Sequence, residues 1–202
     1  GYIVNGAKTF ISSGATADVV VTFVKTGEGN RPDAFSLILI ENGMEGFDHG
    51  KKLNKMGFHG HDTAELSFSD VFVPEENIVG RLGEGFKIAM FALDQGRFTV
   101  AAGATGLIRA CRDASARYAK ERHAFGVAIA EHQLVKEMIA QMESDYQVSR
   151  LLWLRSGFLK NHGRRNTRET GLAKWFATVA SERAAGDAVQ VHGANGYSDE
   201  YP

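Results

Sequence analysis

The residues best equipped for chemistry in this chain fall in a few short runs. Arg122-His123-Ala124-Phe125-Gly126 closes a helical stretch with a guanidinium, whose planar fork of donors suits a pyrophosphate. The same charge complements the negative end of a helix dipole without any ligand, so the residues leave both roles open. His132-Gln133 opens the next helix, where unpaired backbone N–H groups can meet an anion or a nucleotide edge or can simply be a polar helix start. Gln190-Val191-His192-Gly193-Ala194-Asn195-Gly196 has the glycine content of a phosphate-cradling loop. It follows a helix, however, whereas the dinucleotide fingerprint lies between a strand and a helix, and a Gly-rich helix stop explains it equally. Lys8-Thr9-Phe10-Ile11-Ser12-Ser13-Gly14 ends a strand with an aromatic ring, hydroxyls and a glycine. Phe10 could stack on a planar heterocycle and Ser12 could bond a ring heteroatom, or the run is an ordinary strand end and turn.

His59-Gly60-His61-Asp62 places two imidazoles and a carboxylate close enough to share an ion. No third or fourth ligand stands at a recognised spacing, so a polar loop is the expectation and no metal site is assigned. A metal-dependent hydrolase built on His59, His61 and Asp62 is the reading this disfavours. No Ser/His/Asp or Cys/His arrangement for nucleophilic catalysis can be argued. Cys111 is the single cysteine; it excludes an internal disulfide, fits a reducing compartment and reads as a small apolar residue on a helix face.

These runs need elements to hold them. Residues 1–80 read as β structure, with strands over Tyr2–Val4, Lys8–Ser12, Asp18–Lys25, Ala34–Glu41, Phe47–Leu53 and Ala64–Val73 separated by turn residues, a pattern of antiparallel barrels and sandwiches. Asn5-Gly6 predicts a hairpin. Leu66, Phe68 and Val71 share the apolar side of the last strand, which Pro74 closes. From Gly83 the period becomes helical and no strand pattern returns. One helix is predicted over Glu84–Asp94, with a break at Gln95-Gly96. A second carries Val100, Ala104, Leu107, Cys111, Ala114 and Tyr118 as its stripe, and Gly126 ends that helical region. A third covers about 131–160 with Val135, Met138, Met142, Tyr146, Ser149 and Trp153. A fourth covers about 167–192 with Leu172, Trp175, Phe176 and Val179 facing inward, and Gly193 stops it. Long helices joined by short loops pack side by side. The expected class is α+β, with a β-domain over 1–80 and a helical bundle over 81–202.

With 202 residues, 44% of them hydrophobic, a large buried core is available. Lys and Arg number 23 against 24 Asp and Glu, a balance that favours neither nucleic acid nor an anionic membrane. Val19–Val24, the longest apolar stretch, is too short to span a bilayer. Strand-like sequence at Gly1 and a turn-rich stretch at Tyr201-Pro202 lead to the expectation of truncation at both ends.

Several runs recur together in order and spacing: Gly1-Tyr2-Ile3-Val4-Asn5-Gly6-Ala7-Lys8, Lys55-Met56-Gly57 through Asp62-Thr63, Asp70-Val71-Phe72-Val73-Pro74, Gly83-Glu84-Gly85-Phe86-Lys87, Arg122 to Gly126, Glu131-His132-Gln133, and Gln190 to Pro202. Over essentially the whole chain they resemble the acyl-CoA dehydrogenase family, with medium-chain types nearest in pattern. The resemblance implies an antiparallel β-barrel or sandwich followed by an incomplete antiparallel four-helix bundle, a helical N-terminal domain lying outside the chain, and a homo-oligomer, dimer or tetramer. It implies FAD as cofactor, an acyl-CoA substrate and an electron-transfer flavoprotein as acceptor, in a bacterial cytoplasm or mitochondrial matrix. Phe10, Ile11 and Ser12 match the segment against the flavin. Arg122, His123, Ala124, Phe125, His132 and Gln133 match positions that hold the adenosine and pyrophosphate. Gln190, Val191, His192, Gly193 and Ala194 match the segment that reaches FAD from a neighbouring subunit, and Asp94 and Arg97 are the polar members of a stretch touching acyl-CoA.

Two departures stand out. His61 occupies a place where the family often has serine before the aspartate, which puts that loop's role in question. Family members remove the thioester α-proton with a glutamate, most often in a Glu-Gly-Thr run beyond a Glu-Tyr-Pro segment, while the β-hydrogen leaves as hydride to the flavin. This sequence ends on Glu200-Tyr201-Pro202, so no catalytic residue is assigned within it. In the isovaleryl branch the base sits on a helix at the position matching Gly96, which cannot accept a proton. An acyl-CoA oxidase, and a non-catalytic oligomeric scaffold of the same fold, are the alternative functions.

Overall fold

Strands in the first part of the chain follow the β-branched and aromatic runs. The computed structural model describes residues 1–201. It divides into one unit covering Gly1–Phe91 and a second that starts at Ala92. In the first unit, β1 (Tyr2–Ser12), β5 (Thr63–Val73) and β4 (Phe47–Lys52) form one sheet in the order β1-β5-β4, while β2 (Val19–Lys25) and β3 (Phe35–Glu41) form a two-stranded sheet. The named pairings are antiparallel. Among the described residues the strands do not close into a barrel, so the sandwich half of the expectation is the one that applies. Val4, Ile38, Ile40, Leu66, Phe68, Val71 and Val73 make its core.

Asn5-Gly6 does not turn the chain: β1 runs straight through it. The register skips between Val4 and Gly6, where β5 carries an extra residue, and Asp70 adopts a φ of 53° there. Asn5 spans that bulge, donating from Nδ2 to Asp70 Oδ1 at 2.9 Å and accepting from Asp70 N at 2.8 Å. The amide that signals a hairpin locally is thus used across strands.

The second half is helical: α1 (Gly85–Glu121), α2 (Gln133–Asn161) and α3 (Thr167–His192). The expected break at Gln95-Gly96 is absent and α1 is continuous, because one glycine costs a helix only about 1 kcal/mol. Where α1 begins, a Cβ on Gly85 would stand 2.4 Å from the Ser36 carbonyl carbon, so only glycine allows that approach. The helix ends at Glu121 rather than Gly126, and β6 (His123–Ala124) and β7 (Val127–Ala128) form a small hairpin with Phe125 and Gly126 at its tip.

Three helices meet around Ile108, Met142, Ala180 and Ala184, with Cys111, Tyr146, Phe176 and Ala188 packed at the margin. The expected α2 stripe is buried or half-buried throughout. The α1 stripe is turned by one position: Val100 and Leu107 are exposed, and Ala101, Thr105, Ile108, Ser115 and Ala119 are buried. In α3, Leu172, Trp175 and Val179 are exposed while Ala173, Ala177, Ala180 and Ala184 are buried. Only Phe176 of the expected residues packs against the core. Small residues win the inner face because they let helix backbones come close. No helix among the described residues is long and apolar enough to cross a membrane.

Candidate functional site

The end of α1 and the end of α3 bring several of the singled-out residues together, with Ile129 just beyond the intervening hairpin. Tyr118, Arg122, Ile129, Val191, His192, Gly193, Ala194 and Asn195 line one pocket of about 330 Å³. Arg122 immediately follows α1, and its N–H donates to the Tyr118 carbonyl at 2.9 Å. Its side chain is exposed and takes part in none of the ion pairs among the described residues. Opposite, α3 stops because Gly193 adopts a φ of 60°, conformational space that other residues enter at a cost. A Cβ there would meet nothing within 4 Å, so Gly193 is present for its backbone shape rather than for clearance.

His192 is 7% exposed. Its Nδ1 donates to the Ala188 carbonyl at 2.8 Å, which leaves Nε2 as the acceptor in the neutral ring. The imidazole stacks on Tyr118 with centroids 4.4 Å apart, and Asn195 Nδ2 donates to Tyr118 Oη at 3.0 Å. Tyr118 and Ile129 do not stand out from sequence as site residues, and Asn195 does so only as part of the Gly-rich run. Tyr118 stands four positions before Arg122, a helical spacing that puts both on one face, and that signal could have found it.

Other expected residues are placed nearby in sequence but outside this pocket lining. Gln190 is exposed, and its carbonyl accepts the Gly193 N–H. His123 is exposed on β6 with Nδ1 3.1 Å from the Glu121 carbonyl oxygen, and Ala124 pairs with Val127. Phe125, at a φ of 56°, is almost fully exposed and meets His132 edge-on at 6.0 Å. His132 caps the start of α2 without a side-chain bond, and its Nε2 is buried with no partner among the described residues. Gln133 is exposed as the first residue of α2.

Asp94 and Arg97 are joined by a 2.8 Å ion pair on α1, and Asp94 Oδ2 also accepts from Thr167 Oγ1 at 2.8 Å. Asp94 therefore has no carboxylate oxygen free of an internal bond.

In the first unit, Phe10 is 76% exposed at a φ of 58°, at the bulge between Lys8 and Ile11. Ile11 packs on the core, and exposed Ser12 pairs with Thr63. The turn beyond is held by Asp62, whose Oδ2 accepts from Ala15 N at 2.8 Å and whose Oδ1 accepts from Thr16 Oγ1 at 3.3 Å. The Ala15 N–H is the main cause that holds this carboxyl below the usual range, against a smaller desolvation effect, with Thr16 assisting. Both oxygens of Asp62 thus serve the turn, and His59 is exposed while His61 packs on Phe58 at 5.5 Å between centroids.

The family model described as acyl-CoA dehydrogenase, C-terminal domain, matches residues 83–202, and that of the middle domain matches residues 1–71. The chain is similar to the short-chain-specific acyl-CoA dehydrogenase of Megasphaera elsdenii, with 38% identity over 100% of this chain and 52% of that relative. It is similar to the solved butyryl-CoA dehydrogenase of Megasphaera elsdenii, with a TM-score of 0.92 and 38% identity over 100% of this chain and 52% of that one. A chain in a solved structure of the electron transferring flavoprotein of Acidaminococcus fermentans gives a TM-score of 0.92 and 42% identity over 100% of this chain and 53% of that one. The chain spans about half the length of the curated relatives it matches.

Proposed function

Since this chain belongs to the acyl-CoA dehydrogenase family, we propose that its parent protein dehydrogenates an acyl-CoA thioester at the α,β position with FAD and passes the electrons to an electron-transfer flavoprotein. The observation that carries this reading is the pocket joining Arg122 to Val191–Ala194. An unpaired guanidinium that lines the same pocket as a glycine-containing helix end is a suitable partner for a pyrophosphate. These residues fit the cofactor. Bound FAD would supply the hydride acceptor. Within the helical unit, Arg122 would neutralise phosphate charge; within the first unit, Phe10 would offer a flat apolar face and Ser12 a hydroxyl to a flavin.

Arg122 and Gly193 line one pocket within a single chain, so both act on the same cofactor from the same subunit. If Gln190–Ala194 reaches FAD from a neighbour in a homo-oligomer, Arg122 does too. Arg97, held by Asp94, has further N–H donors for an acyl-CoA polar group, whereas Asp94 serves by orienting it.

Titration of full-length apoprotein with FAD tests the reading. Arg122→Ala should lose about 1.5–3 kcal/mol of cofactor binding, or roughly tenfold to over a hundredfold, if charge-assisted bonds are made. Arg122→Lys should fall between the two because it keeps the charge and loses the fork. Equal dissociation constants for wild type and Arg122→Ala would return Arg122 to a helix-end charge. Flavin absorbance that bleaches with acyl-CoA supports dehydrogenation, and hydrogen peroxide formed without an added acceptor would replace the electron-transfer partner with oxygen.

A further inference from the structure

We infer that Tyr118 is a positioning residue that holds the Gly193-Ala194 turn opposite Arg122. The inference rests on the reading of this pocket as the pyrophosphate site and adds to it a device that shapes the turn before the cofactor arrives.

Tyr118 lies in the last turn of α1, and its carbonyl accepts the Arg122 N–H at 2.9 Å. Its backbone therefore fixes where the guanidinium-bearing residue leaves the helix. Its side chain reaches across to α3. The phenol ring lies under the His192 imidazole at 4.4 Å with 27° between planes, and Oη accepts from Asn195 Nδ2 at 3.0 Å. His192 and Asn195 flank Gly193-Ala194 on both sides, so one side chain grips the turn at its entry and its exit. His192 is further held by its bond to the Ala188 carbonyl.

Gly193 and Ala194 are themselves exposed, and no neighbour lies within 4 Å of where a Gly193 Cβ would be. The segment Gly193–Tyr197 forms a short 3-10 helix whose Gly196 lies close against the Val189 backbone, so its far end is packed. Gly193 and Ala194 rest on the Gly193 N–H bond to the Gln190 carbonyl and on the side chains that flank them. A glycine turn left free would give up conformational freedom on meeting an anion, and a turn already held would give up less, which strengthens binding without any new contact to the ligand. Tyr118 carries no charge, so this contribution is separate from that of Arg122.

The test uses the full-length protein stripped of FAD, with Tyr118→Phe, Tyr118→Leu, Asn195→Ala and the Tyr118→Phe/Asn195→Ala pair. Two quantities are read: amide hydrogen exchange over residues 193–197 in the apoprotein, and the FAD dissociation constant. Tyr118→Phe keeps the stack and loses the Asn195 bond, so it should speed exchange in the turn and weaken FAD binding about 2- to 10-fold. Tyr118→Leu should do more of both. Asn195→Ala should match Tyr118→Phe, and the pair should be no worse than either single change because all three remove one bond. Unchanged exchange in Tyr118→Phe and Tyr118→Leu overturns the inference, as does a fully additive pair. Arg122→Ala separates the two levels. If it weakens FAD while the Tyr118 variants bind as wild type, the pocket stands and the positioning role falls. If Arg122→Ala and Tyr118→Leu both bind FAD as wild type, the pocket reading falls and takes the inference with it.

Discussion

Thr167 Oγ1 donates a 2.8 Å hydrogen bond to Asp94 Oδ2, tying the first residue of α3 to α1. Arg97 takes the other oxygen of the same carboxylate at 2.8 Å, and the Asp94 side chain is only 22% exposed. Hydrogen bonds to a charged group contribute about 1.5–3 kcal/mol each, less where water competes. Asp94→Ala is therefore expected to destabilise the helical unit by about 1–3 kcal/mol, Thr167→Val by about 1 kcal/mol, and the two together by less than their sum. Urea unfolding without any ligand measures this. Wild-type stability in Asp94→Ala would show that the carboxylate is free for substrate after all.

Asp62 predicts an acid response of the first unit. The folded state depresses its pKa, chiefly through the Ala15 N–H, so the stabilisation is complete above the unfolded value near 3.8. It is lost as pH falls below that value and through the folded one. Melting temperatures of wild type should decline more steeply over this acid range than those of Asp62→Asn, which has no charge to lose. Parallel acid limbs would remove Asp62 from the account.

Gly96 gives a prediction of opposite sign. It is exposed in the middle of α1, and a Cβ placed on it meets nothing within 4 Å. Alanine is favoured over glycine in a helix interior by about 1 kcal/mol, so Gly96→Ala should raise stability by up to that amount in denaturant titration. Gly96→Glu has room as well and should fold like wild type, with a carboxylate where the isovaleryl branch carries its base. Destabilisation by Gly96→Ala would mean that the helix depends on glycine at this position.

Much of this architecture is written in local pattern, and the exceptions have physical causes. Thr167–His192 was legible because a polar loop precedes it and Gly193 ends it. The candidate site was legible as separate runs, Arg122 and Gln190–Ala194, but not as one pocket, since about 70 residues separate them in sequence. Asn5-Gly6 misled because its amide satisfies a bulge on a strand far along the chain. Asp94 stands out through family resemblance alone, and its bond to Thr167 could not be read locally because the two residues meet only on folding. Helix faces were the hardest to read: hydrophobicity ranks tryptophan above alanine, while close helix approach selects the smaller residue.

That last conflict can be decided by two substitutions on α3. A stripe of Leu172, Trp175 and Val179 facing the core would make Trp175→Ala cost about 3–5 kcal/mol and leave room beside Ala177. The structure has Trp175 68% exposed and Ala177 fully buried. Trp175→Ala should then fall within about 0.5 kcal/mol of wild type in a dissociated chain, as surface changes do. Ala177→Leu forces extra methylenes between closely packed helices and should cost about 1–3 kcal/mol. Both are read by denaturant unfolding at protein concentrations low enough to dissociate any oligomer. If Trp175→Ala is the costly change and Ala177→Leu the tolerated one, α3 is rotated relative to the face described and its small-residue packing is wrong.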